Sequence, residues 1–184
     1  MKQHIVEVSA FYNLFFLSKK SSVLWLFVRL YVGYEWLIAG WEKIQNPAWV
    51  GSDAGKAIVG FINGALTKTA GAHPDVQGWY AGFLSNAVLP QAVSWSALIA
   101  YGELLVGLGL ITGTIVGITA FFGAFMNLNF LLAGTVSINP ILLMLSIGLI
   151  LAWRVAGYIG LDHFVLPRLF KSTRPKTRLE LDVI

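Results

Sequence analysis

Four stretches of this chain stay apolar for about as long as a helix needs to cross a bilayer: residues 23–44, 93–111, 114–133 and 138–158. That pattern constrains the fold more than any other feature, because it leaves too little polar surface for a water-soluble globule. Only 12% of the 184 residues are charged, against about 25% in a typical soluble domain. The expected fold is an all-α integral membrane protein, one domain over residues 1–184. Its architecture is expected to be an antiparallel four-helix transmembrane bundle, with short interfacial helices between the first and second spans. Only Thr112-Gly113 separates the second run from the third, which predicts a helical hairpin. Gly134–Ser137 makes the next turn, and Asn139-Pro140 opens the fourth helix.

Lysine and arginine set the expected orientation. Lys2, Lys19 and Lys20 precede the first run, and Arg168, Lys171, Arg174, Lys176 and Arg178 follow the fourth. The 47–92 segment holds only Lys56 and Lys68. An even number of spans puts both ends on one side. Both termini are therefore expected in the cytoplasm of a multi-pass plasma-membrane protein, with 47–92 as an extracytoplasmic cap. Within the cap, Ala57, Ile58, Phe61, Ile62, Ala65 and Leu66 repeat at helical spacing, and Trp79, Phe83, Leu84 and Val88 do so more loosely. These predict two short helices on the outer surface or dipping back over the bundle, either sealing it or forming the lid of a site. Trp49, Trp79, Tyr80 and Trp95 fit an outer aromatic belt. Residues 159–184 read as a basic cytoplasmic tail that meets water or anionic headgroups. Met1–Lys20 lacks the small-residue cleavage pattern of a signal peptide.

The net charge of +4 gathers at the two ends of the chain rather than on a basic face with stacking aromatics, so nucleic acid is not an expected partner. The absence of cysteine excludes disulfides, thiolate metal sites and iron–sulfur ligation from this chain. His4, His73 and His163 all lie outside the apolar runs, so neither haem nor metal is expected in the bundle. The glycines sit in apolar helices rather than in a phosphate-binding loop, and Gly113 and Gly117 suggest close helix packing.

An ionisable side chain inside a bilayer costs about 2.5–3.5 kcal/mol on insertion scales, so the charged residues within the runs are the candidates for function. Counted from the ends of their runs at 1.5 Å per residue, Glu35 lies roughly 18 Å from the inner boundary and Glu103 roughly 15 Å from the outer one. Both carboxyls are thus expected near the midplane, with Asn127 just outside it, Asn129 further out, and Tyr101 beside Glu103 in sequence. Arg29, Gly33, Trp36, Gly40 and Lys43 share one face of the first helix, and Glu35 and Glu42 share another. Two carboxyls in low dielectric need cations or protons. Arg29 or Arg154 is expected to neutralise one of them, or one is protonated. The competing reading has Glu103 as helix glue, hydrogen-bonded to Asn127 or to a backbone carbonyl. Trp36 and Trp41 are candidates for a flat aromatic pocket.

These residues carry a resemblance. The first helix, RLYVGYEWLIAGWEKIQNP, resembles the opening helix of the DoxX/DoxD family, where an Arg, two Gly and a Lys recur at this spacing, here Arg29, Gly33, Gly40 and Lys43. YGELLVGLGLITG is similar to that family's Gly-Glu element, at Gly102 and Glu103. MNLNFLLAG is similar to its polar third helix, at Asn127 and Asn129, and AGYIGLDHFV to its closing element, at Gly157, Gly160, Leu161 and Asp162. The resemblance implies a four-helix membrane bundle. For the DoxD branch it implies the membrane subunit of thiosulfate:quinone oxidoreductase, which oxidises thiosulfate to tetrathionate and passes electrons to a membrane quinone together with a second subunit, DoxA. Nothing after the fourth run resembles a DoxA-like domain, so the expected partner is a separate chain, another redox protein, or a second copy.

Two functions follow as expectations. In the first, quinone enters between helices beside Trp36 and Trp41. Glu103 with Glu35 exchanges its protons, and Arg29 compensates buried charge. The sulfur anion approaches from outside near Lys43 or the cap helices, and Tyr101, Asn127 and Asn129 complete the site. In the second, the chain is a non-catalytic scaffold or accessory subunit of a larger membrane redox complex, docking through the 47–92 segment.

Overall fold

A computed structural model describes residues 10–169. Among them the chain is helical, with no strand. After a lead-in of short helical turns (Ala10–Tyr12, Asn13–Leu17 and Lys19–Ser21), the helices are α1 (Ser22–Gln45), α2 (Lys56–Leu66), α3 (Gly78–Phe83), α4 (Ala92–Thr112), α5 (Val116–Leu132), α6 (Asn139–Leu151), α7 (Trp153–Ala156) and α8 (Asp162–Leu169). The stretches Lys19–Gln45 and Gly78–Thr112 are long and apolar enough to cross a membrane, and α5 and α6 are shorter apolar helices. α1 packs on α4, α4 on α5, α5 on α6, and α6 back on α1, closing a ring.

The ring is filled by Trp25, Val32, Trp36, Leu110, Val116, Ala120 and Leu149. Its outside is apolar too: Leu105, Phe121, Phe122, Phe125, Met144 and Ile147 are all exposed. A continuous apolar exterior of this kind suits hydrocarbon and not water.

Glycines set the register of the α1–α4 pair. A Cβ on Gly40 would fall 2.3 Å from the Leu104 amide nitrogen, one on Gly107 2.4 Å from that of Leu37, and one on Gly33 3.0 Å from the Leu110 and Ile111 side chains. The two backbones therefore touch, as small residues allow inside membranes. All three contacts obey one antiparallel register. In it Glu103 lies level with Trp41, four residues from the end of α1, and Glu35 lies level with Gly109. The two carboxyls thus differ by about 9 Å along the bundle axis, six residues at 1.5 Å, and do not share a midplane. The expectation of equal depth assumed that every apolar run begins at one plane. Instead α4 starts inside the cap, where Ala92, Trp95 and Ile99 pack into the cap core and the Ser96 hydroxyl donates to the Trp49 carbonyl at 2.7 Å.

The cap has its own core of Ile58, Ile62, Ala65, Val76, Tyr80, Leu84, Val88 and Ala133. α2 lies over the bundle as predicted, but the second cap helix is not separate. α3 runs through a π turn (Leu84–Val88) and a 3-10 turn (Leu89–Gln91) into α4, because Pro90 sits where a helical N–H is dispensable. Trp49, Tyr80 and Trp95 are at least partly buried in this cap, so of the expected aromatic belt only Trp79, 66% exposed, faces outward.

The fourth run is not one helix to residue 158. α6 ends at Leu151, Ala152 breaks the helix, and α7 adds one turn. The chain then doubles back. The Asp162 side chain packs onto Gly157, and the amides of Leu161 and Asp162 donate to the carbonyls of Thr112 and Gly113 at 3.1 and 2.8 Å. Of the predicted tail, residues 170–184 lie outside the described residues, as do Lys2 and His4.

Candidate functional site

The Gly40 contact brings the cap-side end of α1 against α4, and there Lys43 meets Glu103. Nζ donates to Oε2 at 2.6 Å. Glu103 is 1% exposed and Lys43 21%, so the pair has a buried end and an end that opens toward the cap. The Lys43 ammonium also lies 5.2 Å from the centre of the Trp49 ring, a cation–π contact between α1 and the cap entrance. The end of α1, the loop that follows it and the distant α4 thus converge on one charge.

This corrects the expected charge balance: Lys43, not Arg29 or Arg154, neutralises Glu103. It also removes Asn127 as the partner of Glu103. Arg29 belongs to the other end of the bundle. It is 1% exposed and donates through Nη2 to the Ile159 carbonyl at 2.8 Å, with its guanidinium packed against Gly113 and Gly160. The acid whose charge acts on it is Asp162, 2% exposed, which makes no ion pair with it and instead accepts the N–H of Ile115 at 2.5 Å and of Val116 at 2.9 Å, while Arg29 Nε and Nη1 are buried without a hydrogen-bond partner among the described residues. Asp162 thereby holds Ile115 in the left-handed region, φ 45°, and caps the start of α5. Arg154 is exposed and stacks over Trp153 at 5.1 Å.

The remaining candidates separate. Trp36 is 3% exposed and stacks on Phe130 with ring centres 6.3 Å apart, while Trp41 is 54% exposed on the outer face, so the two do not line one pocket. Asn127 lies on the same α5 face as Gly123 and Phe130, both of which meet Trp36, and the contacts of Gly102 with Met126 and Gly109 with Thr119 put it within one helical turn of the level of Glu103. The Trp36 indole N–H, both Asn127 amide atoms and the Ser146 hydroxyl are buried without a hydrogen-bond partner among the described residues. Asn129 is a cap anchor: the Tyr80 hydroxyl contacts its carbonyl at 3.0 Å and its side-chain oxygen at 3.1 Å. Tyr101 is exposed on the outer face. Glu35 is half-buried, without a hydrogen bond or ion pair among the described residues. Beside the Lys43–Glu103 pair, Leu37, Ile38, Trp41, Leu104 and Leu108 line an apolar groove of about 440 Å³ on the bundle's outer surface.

Asp162 and Tyr80 were missed as structural partners by sequence reasoning. Asp162 carried a signal, since an acid following Gly160-Leu161 at the end of an apolar run has no reason to be there without a buried donor. Tyr80 carried none that separates it from an interface aromatic.

An apolar exterior, two stacked cores and charged side chains buried inside the bundle define an all-helical membrane protein. The chain belongs to the DoxD family: the model of that family, described as TQO small subunit DoxD, matches residues 24–181. That family supplies a membrane subunit of a quinone oxidoreductase, and as a subunit it works with another protein. No curated protein and no solved structure matches the chain at a significant level.

Proposed function

We propose that this chain is the quinone-reactive membrane subunit of a thiosulfate:quinone oxidoreductase, spanning the plasma membrane four times with both termini in the cytoplasm. The observation that carries the reading is the Lys43–Glu103 pair, set between the cap and the apolar groove. Two thiosulfate dianions join through their terminal sulfurs to form the S–S bond of tetrathionate. The two electrons released reduce one quinone, which takes up two protons and becomes the quinol. The chemistry therefore needs a cation reachable from the outer side and a proton donor next to an apolar quinone site.

Lys43 meets the first need through its exposed edge, and as an ammonium it attracts a sulfur dianion most strongly where little water screens it. Glu103 meets the second. Its neighbour Leu104 forms a wall of the groove. Once the dianion has been oxidised, the Lys43 ammonium passes a proton to Oε2 across the 2.6 Å contact, Lys43 is reprotonated from water at its exposed edge, and the same relay delivers the second proton. Glu35, Arg29, Tyr101 and Asn129 lie elsewhere, Asn127 makes no hydrogen bond to Glu103, and none of the five keeps a direct role in this reading, while Trp41 contributes a groove wall. Orientation follows from Lys19 and Lys20 ahead of α1 and Arg168 in α8, which stand at the end opposite the cap.

The test is thiosulfate-dependent reduction of a quinone analogue in lipid nanodiscs, with the partner subunit supplied, for the wild type and Glu103→Gln. Wild-type turnover that falls at least a hundredfold in a folded Glu103→Gln variant is the expected result. No turnover from a folded, fully assembled wild type would overturn it and leave the chain as an accessory subunit docking through the cap.

A further inference from the structure

At the end of the bundle opposite the cap, the chain builds a second feature that the proposed reaction does not use. Arg154, Gly157, Tyr158, Asp162, His163, Leu166 and Pro167 line an open groove of about 290 Å³. Its floor is mostly apolar, from Gly157, Leu166 and Pro167. Its rim is cationic and drawn from two distant segments: Arg154 from α7, and Lys19 from the lead-in, whose ammonium lies 5.0 Å from the Tyr158 ring centre. The one acid in the lining, Asp162, is turned to the amides of Ile115 and Val116, and its charge is offset by the buried Arg29 beside it. Lys19 and Arg154 form no ion pair among the described residues. Among the described residues the groove therefore presents positive charge without an ion-pair partner above an apolar floor.

We propose that this groove binds the headgroup of an anionic phospholipid. Lys19 and Arg154 take the phosphate, and the floor takes the glycerol and first methylenes of the acyl chains. A free phosphate would meet only the rim and leave the apolar floor wet, whereas a lipid satisfies both at once. The bound lipid would tie the lead-in turns to the α7–α8 turn, two segments that otherwise meet through few polar contacts.

The experiment is native mass spectrometry of the purified full chain, titrated with phosphatidylglycerol, phosphatidylcholine of the same acyl chains, and glycerol phosphate. Thermal midpoints in lipid-free detergent establish that each variant is folded. The wild type is expected to retain phosphatidylglycerol over phosphatidylcholine. Lys19→Gln/Arg154→Gln should weaken that binding on the order of thirtyfold, and Lys56→Gln, a charge loss in the cap, should leave it unchanged. Equal retention of both lipids by the wild type, an unchanged preference in the double variant, or an equal loss in Lys56→Gln each overturns the proposal. Saturation by glycerol phosphate alone overturns the lipid in favour of a free anion.

Discussion

Adding one methyl group to Gly40 should do more harm than almost any other small change. The Cβ of Gly40→Ala falls 2.3 Å from the Leu104 nitrogen, 2.8 Å from its Cα and 2.9 Å from the Glu103 carbonyl carbon. All three are backbone atoms, so no rotamer relieves the overlap. Real Cβ contacts essentially never fall under 3.0 Å and are ordinary from 3.4 Å. Against 2.3 Å, α1 and α4 must part by about 0.7 Å at the least and by about 1.1 Å for an unstrained fit. Overpacking of this kind costs about 1–3 kcal/mol, of which up to about 1 kcal/mol is returned by alanine's better helix propensity. With three backbone atoms overlapped, the cost falls in the upper part of that range, about 2–3 kcal/mol, which leaves a net loss of about 1–2 kcal/mol. Gly60, in α2, is the internal control, because a Cβ there meets nothing within 4 Å. Gly60→Ala should stabilise by about 0.5–1 kcal/mol. Reversible unfolding in mixed micelles measures both. If Gly40→Ala stays within about 0.5 kcal/mol of the wild type, the backbone contact that fixes the α1–α4 register is not there.

A double-mutant cycle on the ion pair tests how it is held. Lys43→Met leaves the buried Glu103 carboxylate alone and should cost about 3–5 kcal/mol, whereas Glu103→Gln should cost less, because Lys43 is partly exposed and can reach water. The double variant should recover most of the loss, and simple additivity of the two single effects in the unfolding midpoint would sink the pair as a structural unit. Asp162→Ala removes two amide acceptors and the countercharge of Arg29, with an expected loss of about 3–5 kcal/mol. Asp162→Asn keeps one acceptor and should lose about half as much. Hydrogen exchange at residues 115 and 116 reads both variants, and unchanged protection in Asp162→Ala would refute the cap.

The helices of the bundle were legible in the sequence because apolar length is a property of contiguous residues. α1 and α4 fall within about a residue of the predicted runs. What stayed hidden depended on register. Depths counted inward from each run put Glu35 and Glu103 on one plane, whereas Gly40 and Gly107 slide α4 outward until Glu103 meets Lys43, 60 positions away in sequence. The break at Ala152 was hidden too, since the run stays apolar through residue 158 and the force that bends the chain back is Asp162 reaching the α5 amides. Gly33, Gly40 and Lys43 were picked out on one face before their partners were known. That face does point at α4 through Gly33, Gly40 and Lys43, while Trp36 turns into the ring core.

The Arg29–Asp162 junction has a consequence for how the protein is made. α1 leaves the ribosome early, carrying a guanidinium that has no countercharge until residue 162 follows it. At about 5–20 residues per second that wait lasts roughly 7–27 s. The turn at Ile115 is likewise left without its acceptor over the latter part of that interval. The turn at residue 162 therefore works as a clasp, which can close on α1 and α5 only after the helices between them have been made.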